Sequence, residues 1–126
     1  MSAHAHPSHE TVEAVLLRDR GRCVRCGRYV AHGLRGLDFS IHHRRVKGMG
    51  GDRRPDTQRA GNLIVLCGHG TDGCHGLVHH RPRDAMDAGF LVPQLMDPRR
   101  VPVQHFLYGL VYLDHDGGWS ETGVAA

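Results

Sequence analysis

The pattern of apolar and polar positions divides the chain into a few short segments. From Glu10 to Arg20, Val12, Val15 and Leu16 recur at helical spacing, and Gly21 stands where such a helix would stop. Leu37 to Val46 alternates around Phe39 and Ile41, the period of a strand with one buried face. NLIVLC (62–67) is apolar nearly throughout and predicts a buried strand. Cys74 to His80 predicts a helix. Pro82 forces a break near Arg81 but suits the first turn of a second short helix, which runs through Ala88 and stops at Gly89. FLVP (90–93), VPVQ (101–104) and LVYLDHDGG (110–118) read as strands or extended segments packed against the first half. KGMGGDRRPDTQRAG (47–61) is too rich in Gly, Arg and Asp for a core element and predicts a long basic loop. Residues 1–9 read as a disordered polar tail, where His4, His6 and His9 bind metal at most adventitiously. WSETGVAA (119–126) reads as a frayed end.

A chain of 126 residues is one domain by length, here placed at 10–115 between an N-terminal tail (1–9) and a C-terminal tail (116–126). With 40% hydrophobic and only 6% aromatic residues, and 17 Gly, the core is thin and rich in loops, so a covalent or metal staple would help it. The net charge is only +3, but the bases are clustered: residues 18–59 hold 12 Arg or Lys against 4 Asp. That asymmetry suits a polyanionic partner such as nucleic acid, and charge alone suits a solvated Arg-rich surface equally well. No apolar run reaches the ~20 residues a membrane span needs, and the N-terminus has no signal-peptide pattern. The expectation is therefore an intracellular protein with no membrane partner, in which four cysteines serve as metal ligands rather than disulfides.

Cys23-x2-Cys26 puts two thiolates across one tight turn, half of a tetrahedral zinc site. Cys67 and Cys74 are the remaining cysteines, each at an element end, and would complete a structural zinc site. Their spacer GHGTDG carries His69, the rival ligand, and its glycines permit the insert to loop out.

The richer chemistry lies in histidines. His42 and His43 are adjacent, and a twisted or bulged strand can aim both into one site. His75 and His79 are four apart and share a helix face on which they can grip one ion; His80, one residue off that face, is the rival to His79. A zincin reading fails because Gly76 stands where that motif needs Glu. Arg44 and Arg45, beside the pair, are candidates to clamp a phosphate, and Lys47, Arg53, Arg54 and Arg59 extend a basic surface.

Taken in order, Cys23 and Cys26, His42-His43, Asn62-Leu63, Cys67, Cys74-His75 and His79 resemble the HNH endonuclease family, and most of all its bacteriophage members. The likeness covers about residues 18–92. It implies an α+β fold with a small ββα-metal (His-Me finger) core, a four-cysteine zinc knuckle and short flanking helices and strands. It also implies that His43 is the general base, and that His42, His75 and His79 hold one catalytic divalent cation (Mg, Mn, Ni or Zn). That cation would stabilise the pentavalent phosphorane and the leaving 3′-oxygen. Asn62 would hold the loop carrying His43. One departure stands out: the second cysteine pair is spaced x6 rather than x2.

The resulting expectation is a DNA endonuclease of low sequence specificity, cytoplasmic in the host bacterium if phage-encoded, with the phage terminase or packaging machinery as a further partner. The competing readings are a zinc-stapled nucleic-acid-binding module without catalysis and a packaging adaptor with a vestigial site.

Overall fold

The structure is a computed structural model that describes residues 6–47 and 51–123. Residues 1–5 and 124–126, which hold most of the expected N-terminal tail and the last of the frayed end, and residues 48–50 of the basic loop lie outside the described residues. The chain forms a small mixed α+β domain with one two-stranded and one three-stranded antiparallel sheet. No described helix is long and apolar enough to cross a membrane.

Helix α1 (His9–Arg18) starts at Ser8, whose hydroxyl accepts the Thr11 N–H at 3.1 Å. It buries Val12 and Val15, the apolar stripe of the sequence. Its end needs a glycine: Gly21 takes φ 65°, and a Cβ there would sit 2.7 Å from that of Ala31. The last turn also docks the helix. Arg18 donates to the carbonyls of Ala60 and Leu63, while Asp19 accepts from Arg18, the Val65 N–H and His105 Nε2. Burial alone would raise the Asp19 pKa, but the Arg18 charge and the hydrogen bonds from His105 and Arg18 hold it below the ordinary carboxylate value.

Strands β1 (Phe39–His43) and β2 (Leu63–Cys67) pair antiparallel, from Phe39 opposite Cys67 to His43 opposite Leu63. All five β2 residues are buried, which is why that segment reads as a continuous apolar run. Helix α2 (Gly73–His80) lies against both strands. As expected from Pro82, the chain breaks at Arg81 and resumes as α3 (Pro82–Asp87). Strands β3 (Val103–His105), β4 (Gly109–Leu113) and β5 (Trp119–Ser120) form the second sheet, and Val103, Val111 and Leu113 enter the same core as β2.

Apart from shifts of one or two residues at the helix ends, the structure departs from the sequence expectations in four places. β1 is shorter than Leu37–Val46. At its start, Asp38 closes a turn with Leu34 through reciprocal hydrogen bonds of 2.7 and 2.8 Å. At its end, the Asn62 side chain takes the Arg45 N–H, and Val46 turns away to bond Val92. Phe90–Pro93 makes only the Arg45–Val92 bridge rather than a strand. The basic loop contains two 3-10 turns, Pro55–Gln58 and Ala60–Asn62. Trp119 and Ser120, expected to fray, pair with Leu113 and Tyr112.

Candidate metal centres

The four cysteine sulfurs lie within 4.8 Å of one another. The knuckle that presents Cys23 and Cys26 closes through Cys23 N–H to Arg28 O and Gly27 N–H to Cys23 O, and Val24 N–H docks it on Val65 O of β2. Cys67 ends β2 and Cys74 opens α2. His69 stays outside this set, its ring turned to Thr71. The six-residue spacer loops out on Gly68 (φ 80°) and Gly73 (φ 62°), where a Cβ would meet Asp72 O at 2.2 Å and Cys67 O at 2.7 Å. Cys26 and Cys67 are 3.8 Å apart, far beyond a disulfide. A tetrahedral Zn–S4 site with bonds of about 2.3 Å has sulfurs about 3.8 Å apart, so the spacing suits zinc. Without a cation the thiolate form of the cluster is disfavoured. Contact with the Cys74 thiol, then burial, push the Cys23 thiol far above its ordinary value, and burial raises Cys67 too. Backbone N–H groups of Cys26 and Cys74 aim at Cys23 and Cys67 sulfur, as thiolate acceptors require.

At the opposite end of β1, one nitrogen each of His42, His75 and His79 lie within 4.8 Å of one another, and His80 is not among them. His42 Nε2 lies 2.8 Å from Phe90 O. A carbonyl only accepts, so Nε2 carries the proton and Nδ1 keeps the lone pair for a ligand. His75 and His79 face each other through their Nε2 atoms at 3.2 Å, as their helical spacing requires. Burial, followed by the neighbouring histidines, lowers His42 to about 3, and burial with His79 lowers His75 to about 4. Both are neutral in the physiological range, the state in which imidazole binds metal. Such a donor set suits several divalent first-row ions.

His43 Nε2 meets Gln58 Oε1 at 2.8 Å, and burial lowers its pKa below the ordinary value. The strand register is regular through His43, so no bulge is needed to bring the pair together. Instead one cavity of about 560 Å³ curls around the end of β1 and is lined by His42, His43, His75 and His79 together. Gln58 carries no motif or periodicity that marks it in the sequence; only the 3-10 turn brings it to His43.

Asn62 is fully buried. Its Oδ1 accepts the Arg45 N–H, its Nδ2 donates to Thr57 O, and its carbonyl accepts the Arg44 N–H. It thus ties the backbone just after His43 to the turn that carries Gln58.

The guanidiniums of the arginines expected to clamp phosphate are engaged within the protein, although Arg45 also lines the histidine cavity. Arg44 is 0% exposed, and its guanidinium donates to the carbonyls of Gly61, Gly89, Pro98 and Val101. Burial lowers its pKa to about 9, still charged at neutral pH. Arg45 is buried between Asp52 and Asp56. Arg54 is paired with Asp52 and reaches Gln94 O. The acids scattered through the basic loop thereby consume part of its charge. Of the expected basic surface, Lys47, Arg53 and Arg59 are exposed.

Asp56, Asp97 and His115 also bring one atom each within 4.8 Å, but each is engaged by residues outside the trio, and His115 Nε2 is buried without a hydrogen-bond partner among the described residues. His115 Nδ1 accepts the Gly61 N–H, which puts the ring proton on Nε2, and the two carboxylates are engaged by Arg45 and Arg99.

Comparison with protein-family models, with curated proteins and with solved structures gave no match to this chain.

Proposed function

We propose that this chain is a divalent-metal-dependent endonuclease of HNH type that hydrolyses DNA phosphodiester bonds, stapled by a structural zinc on Cys23, Cys26, Cys67 and Cys74. The observation that carries this reading is the single cavity shared by three converging imidazoles and a fourth, His43, that stands outside their ligand set. The ββα-metal reading of β1, β2 and α2 belongs to the same proposal.

In the proposed reaction, His42 Nδ1 and the Nε2 atoms of His75 and His79 would hold the cation, which would supply Lewis-acid chemistry to substrate oxygens. A bound divalent cation would neutralise charge on the scissile phosphate and on the leaving oxygen. His43 takes a proton from the attacking water, and Gln58 orients its ring through Nε2. Asn62 and Arg44 do not touch substrate; Asn62 holds the backbone just after His43, and the Arg44 guanidinium ties that stretch to the carbonyls of Gly61, Gly89, Pro98 and Val101. Lys47, Arg53 and Arg59 supply the exposed positive surface for DNA phosphates.

Plasmid nicking in the presence of Mg²⁺, Mn²⁺, Ni²⁺ or Zn²⁺, set against a His43→Ala control, tests the proposal. The expected result is cleavage with at least one cation and at least ~10²-fold less from the variant. DNA that shifts on a gel but is cut no faster than by the control with every cation overturns the enzyme and leaves a binding module.

A further inference from the structure

The cavity beside the imidazoles has a second wall that phosphodiester hydrolysis does not call for. Beside the histidines it is lined by Ile41, Val46, Val78, Pro82, Met86 and Leu91. Val46 and Met86 are each 36% exposed, an arrangement that leaves apolar surface facing water beside a polar centre. The break after α2 creates this wall. Pro82 opens α3, and Met86, four residues on, shares its face. One helix pair therefore carries both the ligands His75 and His79 and the apolar surface next to them. Lys47 lines the same cavity, while no carboxylate does.

Regular duplex DNA presents phosphates and sugar edges at its surface and keeps its bases stacked and paired inside. Its backbone would satisfy the imidazoles and Lys47 but would leave the apolar wall wet. A base released from its stack supplies the missing match: a flat, weakly polar face on the same nucleotide as the scissile phosphate. The volume, about 560 Å³, falls in the range that encloses a small organic ligand rather than a lone phosphate. Methionine, unbranched and polarizable, suits a surface that must accept any of the four bases.

We infer that the wall formed by Val46, Pro82 and Met86 receives an unpaired base next to the scissile phosphate, so that the preferred substrate is single-stranded or locally unpaired DNA. This rests on the nuclease reading and deepens it.

The test compares one oligonucleotide as a single strand, as a perfect duplex, and as a single strand with an abasic residue next to the cleaved bond. Each is offered to the full chain and to Met86→Glu with the active cation. The single strand is expected to be cut at least ~10-fold faster than the duplex. Met86→Glu should lower that rate several-fold and make no further difference on the abasic strand. Binding is read separately, with His43→Ala and a single strand carrying 2-aminopurine at that position, whose fluorescence should change on binding and change less with Met86→Glu added. Cleavage that ignores strandedness, with no fluorescence change, overturns the base pocket and leaves the nuclease. A Met86-dependent fluorescence change without any cleavage overturns the nuclease and supports the pocket. Absence of both overturns both.

Discussion

The two ends of the β1–β2 pair are closed by different physics. Where Phe39 faces Cys67, the sheet ends in four sulfurs drawn from the knuckle, the strand and the first turn of α2. Where His43 faces Leu63, it ends in hydrogen bonds: Asn62 bridges Arg45 and Thr57, and the Arg44 guanidinium collects four carbonyls. The sulfur end uses up its donors on one another's neighbourhood, and three of its four cysteines are buried. The histidine end keeps His79 exposed and opens on a cavity. A site that only holds the chain together can be closed; one that must take a ligand needs its framework built from other groups, so that its donors face outward.

The strongest way to break this contrast is to remove the sulfurs. If zinc occupies the cluster, its binding is folding free energy on the order of 10 kcal/mol. Cys67→Ser, or the parent chain under a strong chelator, should lose its cooperative thermal transition by circular dichroism. His79→Ala should keep it, with a melting temperature within a few degrees of the parent. Equal losses in both would erase the distinction between the ends.

The next largest effect belongs to Arg44. Arg44→Met leaves buried carbonyls without donors, at about 1–3 kcal/mol each for those that find no water. Urea denaturation should show a loss of at least about 3 kcal/mol. Lys47→Ala, on the same stretch but exposed, should stay within about 0.5 kcal/mol. A small change for Arg44→Met would mean that the histidine end is held by something else.

Between the two ends, Asp19 ties α1 to Val65, the middle of β2. Its folded pKa lies below 3.8, so its contribution is fully present above that value and is lost as pH falls through the lower, folded one. Asp19→Asn should cost about 3 kcal/mol near neutrality, because Arg18 is left buried without its counter-charge. It should also flatten the fall in stability below pH 4. An unchanged acid limb would remove Asp19 from the account.

The smallest expected effect is the most diagnostic of coupling. Gly73→Ala puts a Cβ at φ 62° and 2.7 Å from Cys67 O, a cost of about 1–2 kcal/mol. Cys74 and His75 follow it directly, so both donor sets should weaken together in metal titrations. A change confined to one set would show that the first turn of α2 does not connect them.

Much of the donor chemistry was legible because it lies in local spacing. Cys23 and Cys26 sit on one turn, and His75 and His79 on one helix face, so sequence separation alone brings each pair together. The fate of the arginines was not legible. A guanidinium next to His43 invites a phosphate, and only the convergence of Gly61, Gly89, Pro98 and Val101 in space makes Arg44 a buried brace. Gln58 was missed for the same reason, since it reaches His43 through a turn that no apolar pattern announces. Trp119 and Ser120 were assigned to a tail because two residues are too few to show a period, and their place in β5 is set by β4. The α1 helix, by contrast, followed from Val12, Val15 and Gly21; its start moved one residue earlier, to the cap that Ser8 provides, and its end two residues earlier, to Arg18.

The brace formed by Arg44 has a consequence for how the protein is made. Synthesis runs from the N-terminus, and the four sulfurs are all present once Cys74 has been added. The acceptors of Arg44 lie 17, 45, 54 and 57 residues downstream of it, so the set is complete only when Val101 has emerged. A nascent chain can therefore close its cysteine end while the guanidinium still waits in water for its last carbonyls. The histidine end is therefore completed later in synthesis than the cysteine end, once Val101 has emerged.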